Sequence, residues 1–577
     1  MEPRRIALAV ILMAAVLFLT PILFPSAKPV AGNRVPVSDT SALAAPSGTQ
    51  AASPSAAPTV AAGTATAGAI PSAQGTAGVA GATNDSLAAT TPLPVDTTAV
   101  TTARAIFRTT NRGAALIGAE LPQFRALRDR GRTKGEAVEL ANSGDRLLSF
   151  RLVVPGDTLR LVQQLFRTAR TEDNARSTVT YSANVKQYPV SITYSFLPDS
   201  YRVNVAARID NAPPNSYLLV DMPPSFRSAE ADTVDDRTHL EYAFKREKQG
   251  ADKIAFSSLD PGERQIEAGP MQWVVAKNKY FLVGVLAPAG KPGFAEFDVT
   301  GGVRTAKIAT RAQATAVVPL ASGATTLELY VGPQEFNRLV AMGRDFETSN
   351  PYGGFMQGLI QPFATMVIKS LLWMKATLGL SYGWILVLFG VAVRIVLWPL
   401  NQKAMRSSMQ MQRIQPEMQA IQAKHKGDPQ KLQTEMMKMY KEHGMSPFSS
   451  LTGCLPMLIP LPIFFALFYV FQNTIEFRGV SFLWLPDISI KDPVYVLPVL
   501  VAITAMLLSY IGMRGMKAND QQKMMMYMMP AMMLFIFFNM ASGLNLYYLV
   551  QNLASLPQQW LIAQERGRNA AMPLVRG

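Results

Sequence analysis

Apolar and polar positions alternate with period two from residue 103 to residue 345. Between residues 201 and 210 one face carries Tyr201, Val203, Val205, Ala207 and Ile209. The other carries Arg202, Asn204, Ala206, Arg208 and Asp210. That is the pattern of a half-buried strand. It recurs near residues 147–154, 190–196, 272–286 and 326–331, with Pro, Gly and Asp between the runs. The expected unit over residues 103–345 is one large antiparallel β domain, a sandwich.

Beyond it the period lengthens. Leu359, Phe363, Met366, Val367 and Leu371 share one helical face, which predicts an amphipathic helix over 352–380 lying along a membrane surface. Long apolar runs follow at 381–400, 451–472 and 494–513. The last apolar region, 524–563, exceeds the ~20 residues that cross a hydrocarbon core. The turn signal Asn539-Met540-Ala541-Ser542-Gly543 divides it into spans at 524–540 and 544–563. At the other end, apolar residues 6–24 follow Arg4 and Arg5 and predict an N-terminal transmembrane anchor within 1–27. A cleaved signal peptide is the alternative, because Ser26 and Ala27 follow the run. Residues 28–102, rich in Ala, Ser, Thr, Pro and Gly, read as a disordered tether. The expected fold class is a polytopic α-helical membrane protein with six spans and a large antiparallel β domain.

Charge orients this topology. The chain carries a net +15. Lys403, Arg406, Arg413, Lys424, Lys426, Lys431, Lys438 and Lys441 lie between the second and third spans, and Arg514, Lys517 and Lys523 between the fourth and fifth. Arg566, Arg568 and Arg576 mark the tail at 564–577, whereas residues 473–493 hold only Arg478 and Lys491 as Lys or Arg. The positive-inside rule places the basic links and both termini in the cytoplasm and the β domain outside. It also explains the basic excess without sequence-specific nucleic-acid binding. A single cysteine excludes an intramolecular disulfide, and three scattered histidines show no metal-ligand spacing. No cofactor or catalytic constellation is expected.

The cytoplasmic segment 401–446 reads as a helical hairpin. Ile414, Met418 and Ile421 form one stripe, and Leu432, Met436 and Met439 the facing one. Asp428-Pro429 starts the second helix. The two stripes either pack on each other or, through methionine's adaptable side chain, also contact emerging chains.

Two features carry candidate chemistry. Arg394 is the only non-apolar side chain between residues 384 and 400. An arginine at the centre of a membrane helix costs roughly 2.5–3.5 kcal/mol on insertion scales, so it faces protein or water, or snorkels to the interface. On the last span Asn545, Tyr548, Asn552, Ser555 and Gln559 form one polar stripe by spacing. A stripe of this kind either makes interhelical hydrogen bonds or lines a wet groove.

Several motifs bear a resemblance. The run VRIVLWPLNQKAMRSSMQMQRIQPEMQAI is similar to the cytoplasmic exit of the second span in the YidC membrane-protein insertases. SPFSSLTGCLPMLIPLPIFFALFYVF resembles their third span and SGLNLYYLVQNLASLPQQWLI their last. QWVVAKNKYFLVGVLAP and LELYVGPQEF resemble the periplasmic domain of the Gram-negative members. The resemblance implies a five-helix insertase core around a hydrophilic groove and a periplasmic β super-sandwich similar to sugar-mutarotase folds. It implies lateral insertion and folding of nascent membrane proteins in the bacterial inner membrane, alone or with the Sec translocon (SecYEG, SecDF). The ribosome and the signal-recognition-particle receptor are further expected partners. Arg394 matches the groove arginine, and Cys454 and Met457 would lie along the substrate path on the third span. Pro460 stands where many relatives carry glutamine.

Two other classes fit less well. A transporter predicts internal repeats, and the sequence has none. A carbohydrate enzyme needs positioned acids and bases, and the β region offers one histidine, His239, and no recognisable carboxylate pair.

Overall fold

Strands occupy residues 97–333 and long helices residues 357–571 in a computed structural model. It describes residues 93–571 apart from 129–134, 174–175, 289, 291–292, 305–308, 351, 353–356, 426–427, 443–460 and 515–519. The expected anchor at 1–27, most of the tether, and Cys454 and Met457 therefore lie outside the described residues.

Strands β1 (Thr97–Thr101), β2 (Ile106–Thr110), β3 (Ala115–Arg125) and β4 (Ala137–Glu139) pair antiparallel in that order. The remaining strands are β5 (Ser149–Val154), β6 (Asp157–Arg160), β7 (Arg167–Asp173), β8 (Arg176–Val185), β9 (Tyr188–Phe196), β10 (Arg202–Ile209) and β11 (Tyr217–Asp221). They continue as β12 (Glu241–Arg246), β13 (Ala251–Ala255), β14 (Arg264–Lys277), β15 (Phe281–Leu286), β16 (Phe294–Gly301), β17 (Ala312–Pro319) and β18 (Ala324–Pro333). These make a 14-stranded sheet, order β6-β5-β11-β17-β16-β14-β15-β18-β10-β9-β8-β7, with β12 on β14 and β13 on β12. A sheet so wide curls or splits into packed layers. Both sheets share one apolar core, which includes Phe107, Leu116, Trp273 and Phe346. The result is an antiparallel β sandwich.

The alternation at residues 201–210 is realised in β10, whose Val203, Val205, Ala207 and Ile209 are buried together with Tyr201. Two expectations need correction. Residues 272–286 are not one strand, because β14 and β15 meet at a turn in which Asn278 Oδ1 accepts from the Phe281 N–H at 2.8 Å. β1 lies inside the segment read as a disordered tether; its backbone pairs along β2 and its Val100 is buried, which its run of threonines concealed.

The helices are α1 (Thr233–Thr238), α2 (Phe336–Ala341), α3 (Gln357–Leu378), α4 (Tyr382–Lys424), α5 (Pro429–Glu442), α6 (Leu461–Asn473), α7 (Val496–Met513), α8 (Asp520–Phe537) and α9 (Ser542–Ala571). Among the described residues, Tyr382–Pro399 and Val496–Met513 are long and apolar enough to cross a membrane. Ile463–Asn473 and Met526–Phe537 are shorter apolar helices. The second expected span and the first arm of the hairpin are one continuous helix, the 43-residue α4.

The face read for α3 is half right. Val367 and Leu371 are buried with Ile360, Ala364, Ile368 and Met374, where α3 packs on α6. Leu359 and Met366 point the other way with Trp373 and are exposed. The exposed face of the helix also carries apolar residues, so periodicity alone could not select the packed face.

The β sandwich joins the helices through buried polar contacts. The side chain of Arg478, just beyond α6, is 5% exposed, and its Nε donates to both oxygens of Glu230, at 2.8 and 3.0 Å. Its Nη2 donates to the carbonyl of Arg125 at 2.9 Å, and the guanidinium lies over the rings of Tyr280 and Phe281. Beside it Glu476 accepts from the Phe336 N–H at 3.2 Å, while its second oxygen is buried without a partner among the described residues. Burial pushes the Glu476 carboxyl up to about 7.

A carboxyl raised in the fold keeps a proton that the unfolded chain releases above about pH 4.5. Its effect on stability is therefore absent at lower pH, and stability falls as pH rises through the window up to about 7. Glu476→Gln is expected to flatten that part of the profile and to stabilise the protein at pH 8 by on the order of 3 kcal/mol. Thermal unfolding in detergent between pH 4 and 8 checks it; identical slopes for both proteins would contradict it.

Candidate functional site

The site is built where α4 and α9 pack. Gly390 allows the close approach, since a Cβ there would sit 3.0 Å from Cγ1 of Val550. Its carbonyl accepts from Nε2 of Gln551 at 2.8 Å, and the same amide donates to the hydroxyl oxygen of Tyr547 at 3.0 Å. One turn on, the half-buried Arg394 donates from Nη2 to Oε1 of Gln558. Gln558 is 1% exposed, and its Nε2 donates to Oε1 of Gln402 at 3.1 Å. Nε of Arg394 is buried without a hydrogen-bond partner among the described residues.

No acid answers this charge nearby in sequence. Tyr382–Pro399, α6, α7 and residues 542–564 contain neither Asp nor Glu. Arg394 is thus held by the neutral Gln558 amide, with its buried Nε unpaired among the described residues.

The five-residue polar stripe divides on inspection. Nδ2 of Asn552 donates to α7, to the Val501 carbonyl at 3.2 Å and to Oγ1 of Thr504 at 3.0 Å. Asn545 donates to the Phe537 carbonyl at 3.2 Å, closing the turn from α8 into α9. Tyr548 packs between Phe464 and Phe537, and Ser555 bonds back to the Gln551 carbonyl at 2.6 Å. Gln559 keeps a buried Oε1 without a hydrogen-bond partner among the described residues. None of these five is a hydrogen-bond partner of Arg394 among the described residues. The arginine's hydrogen-bond partner is Gln558, on the adjoining face of α9, which links it to Gln402, and Gln551 lies two turns before Gln558 on that face. Their signal was the seven-residue repeat of glutamine at 551 and 558, a separation of two helical turns.

The hairpin methionines mostly serve the hairpin itself. Ile414, Met439 and Tyr440 are buried together, with Met418, Ile421 and Met436 packed against them. The Tyr440 hydroxyl donates to Sδ of Met418 at 3.4 Å. Met437, not singled out by its spacing, is exposed. Asp428 caps α5 by accepting from the Lys431 N–H at 3.1 Å.

Residues 97–366 match the family model described as the YidC periplasmic domain, and residues 373–569 the one described as the 60Kd inner membrane protein. The membrane protein insertase YidC of Prosthecochloris aestuarii is 32% identical over 452 residues, covering 73% of this chain and 75% of that protein. The chain belongs to the YidC family. Its β sandwich is the YidC periplasmic domain, and the helices that follow are the inner-membrane part. The YidC of Chlorobaculum tepidum is 32% identical over 395 residues, which are 64% of this chain. The chain spans 65% of the length of that relative. A crystal structure of an active YidC insertase with its first transmembrane domain resolved is 20% identical, with a TM-score of 0.33, covering 81% of this chain and 94% of that one.

Proposed function

We propose that the chain is a membrane-protein insertase and folding chaperone. It moves hydrophobic segments of nascent proteins sideways into the inner membrane through a hydrophilic groove, alone or with the Sec translocon. Membership of the YidC family supports this reading. The observation that carries it is the guanidinium of Arg394, half-buried among helices whose apolar stretches contain no acid, bonded to the Gln558 amide, with Nε unpaired among the described residues. A hydrophilic tail entering the bilayer loses water, and its carboxylates lose most by it. Arg394 offers such a carboxylate a partner midway. At an effective dielectric near 20, a pair about 4 Å apart gains about 4 kcal/mol. That is comparable to the cost of inserting one charge, so pairing lowers the barrier without trapping the substrate.

In this reading the chain has six spans, both termini are cytoplasmic, and Cys454 and Met457 border the substrate path. Arg394, Asn545, Tyr548, Asn552, Ser555 and Gln559 belong to the groove, now with Gln551, Gln558 and Gln402. The cytoplasmic hairpin meets emerging chains, and the ribosome and the signal-recognition-particle receptor deliver them. The direct test is reconstitution of the purified chain in liposomes with a single-span substrate. Protease protection of the substrate tail is expected only where the protein is present, and equal protection in empty liposomes would refute the reading. A liposome flux assay that instead found solute transport would favour a transporter.

A second feature bears on the barrier. The apolar stretch of α8, Met526–Phe537, falls short of the ~20 residues that match a hydrocarbon core. Short spans thin the bilayer locally. Extending α8 by one apolar turn is expected to slow insertion several-fold in the same assay, and an unchanged rate would remove thinning from the mechanism.

A further inference from the structure

The periplasmic domain pairs most of its charges: Arg104 with Asp199, Arg151 with Asp221, Arg264 with Asp298 and Arg311 with Asp145 are examples. One cleft breaks this habit. It encloses about 490 Å³ beside β1, β2 and the loop at residues 141–146. Four arginines line it, Arg108, Arg112, Arg146 and Arg227, against two acids, Glu139 and Asp145. Both acids are committed elsewhere. Glu139 takes Arg108 and the Ala119 N–H, and Asp145 takes Arg311 and Ser225. Among the described residues Arg227 reaches only one acid, Glu136, at 3.8 Å on the open surface. Arg112 and the half-buried Arg146 have no acidic partner among the described residues, although they stand close enough to repel each other.

Like charges held together over a concavity are relieved by an anion. We infer that this cleft is a docking site for an acidic, extended polypeptide segment, with Arg112 and Arg146 receiving its carboxylates. Two features favour a polypeptide over a small ion. Val95, Ile117 and Ala141 interleave apolar surface with the arginines, and the volume takes several side chains. The site is separate from Arg394 and gives the periplasmic domain a binding role of its own.

The experiment uses the full chain in nanodiscs of zwitterionic lipid and fluorescence anisotropy of a labelled peptide alternating Glu with Val. A peptide with Lys in place of Glu is the control. The acidic peptide is expected to bind, and to release at high salt. Arg112→Gln with Arg146→Gln should weaken it at least about tenfold, the worth of one or two charge-assisted hydrogen bonds. Arg112→Lys with Arg146→Lys should restore most of the affinity, which separates lost charge from lost folding. Equal affinity in the double Gln variant, or equal binding of the lysine peptide, would overturn the proposal. So would a preference for phosphatidylglycerol vesicles over the peptide through the same two arginines, which would make the cleft a lipid-headgroup site.

Discussion

Arg394→Ala is expected to insert an acidic-tailed, single-span substrate at least about tenfold more slowly than the unaltered protein, with the full pairing gain of about 4 kcal/mol as the upper bound. The defect should shrink when the tail carboxylates are replaced by amides, because a neutral tail asks less of the guanidinium. Arg394→Lys keeps the charge but loses the planar fork that reaches Gln558. It should fall between the two. Gln558→Leu removes the amide that holds Arg394 and links it to Gln402, so it should lower the rate while leaving the preference for acidic tails in place. Protease protection in proteoliposomes reads all three variants. Wild-type rates for both Arg394 substitutions would exclude charge pairing as the source of the barrier reduction for that substrate.

The second large effect is on stability. Arg478→Ala leaves Glu230 buried and unpaired where the periplasmic domain meets the end of α6. Breaking one side of a buried pair costs about 3–5 kcal/mol, whereas replacing both partners by apolar groups of similar size is often neutral. Arg478→Met with Glu230→Leu is therefore expected to recover most of what Arg478→Ala loses. Chemical denaturation of the full chain in detergent measures it. A loss below about 1 kcal/mol for Arg478→Ala would mean that water reaches Glu230 and that the junction is looser than its hydrogen bonds imply.

How much of this could be read from the residue order follows from which forces act locally. The alternation from Tyr201 to Ile209 survives intact because a half-buried strand has one wet and one dry face. Arg394 stood out because apolar neighbours leave a charge nowhere to hide. The stripe on α9 misled about which residues meet the arginine. A helix bonded on two sides carries amides on two faces, so Gln551 and Gln558 serve α4 while Asn552 serves α7. Periodicity places Leu359 and Met366 on the wrong side of α3 because both faces of that helix carry apolar residues. Arg478 and Glu230 lie 248 positions apart, and no local pattern announces such a partner.

The central claim is that the Arg394 guanidinium sits in a hydrated recess reached from the cytoplasm. The most direct measurement replaces Cys454 with serine, places cysteine at position 394, and follows its alkylation by a membrane-impermeant maleimide in oriented vesicles. Labelling from the cytoplasmic face, slowed when a stalled substrate is present, is the predicted result. A cysteine that stays unreactive from both faces, yet reacts with a lipid-soluble maleimide, would place position 394 against acyl chains and contradict the claim.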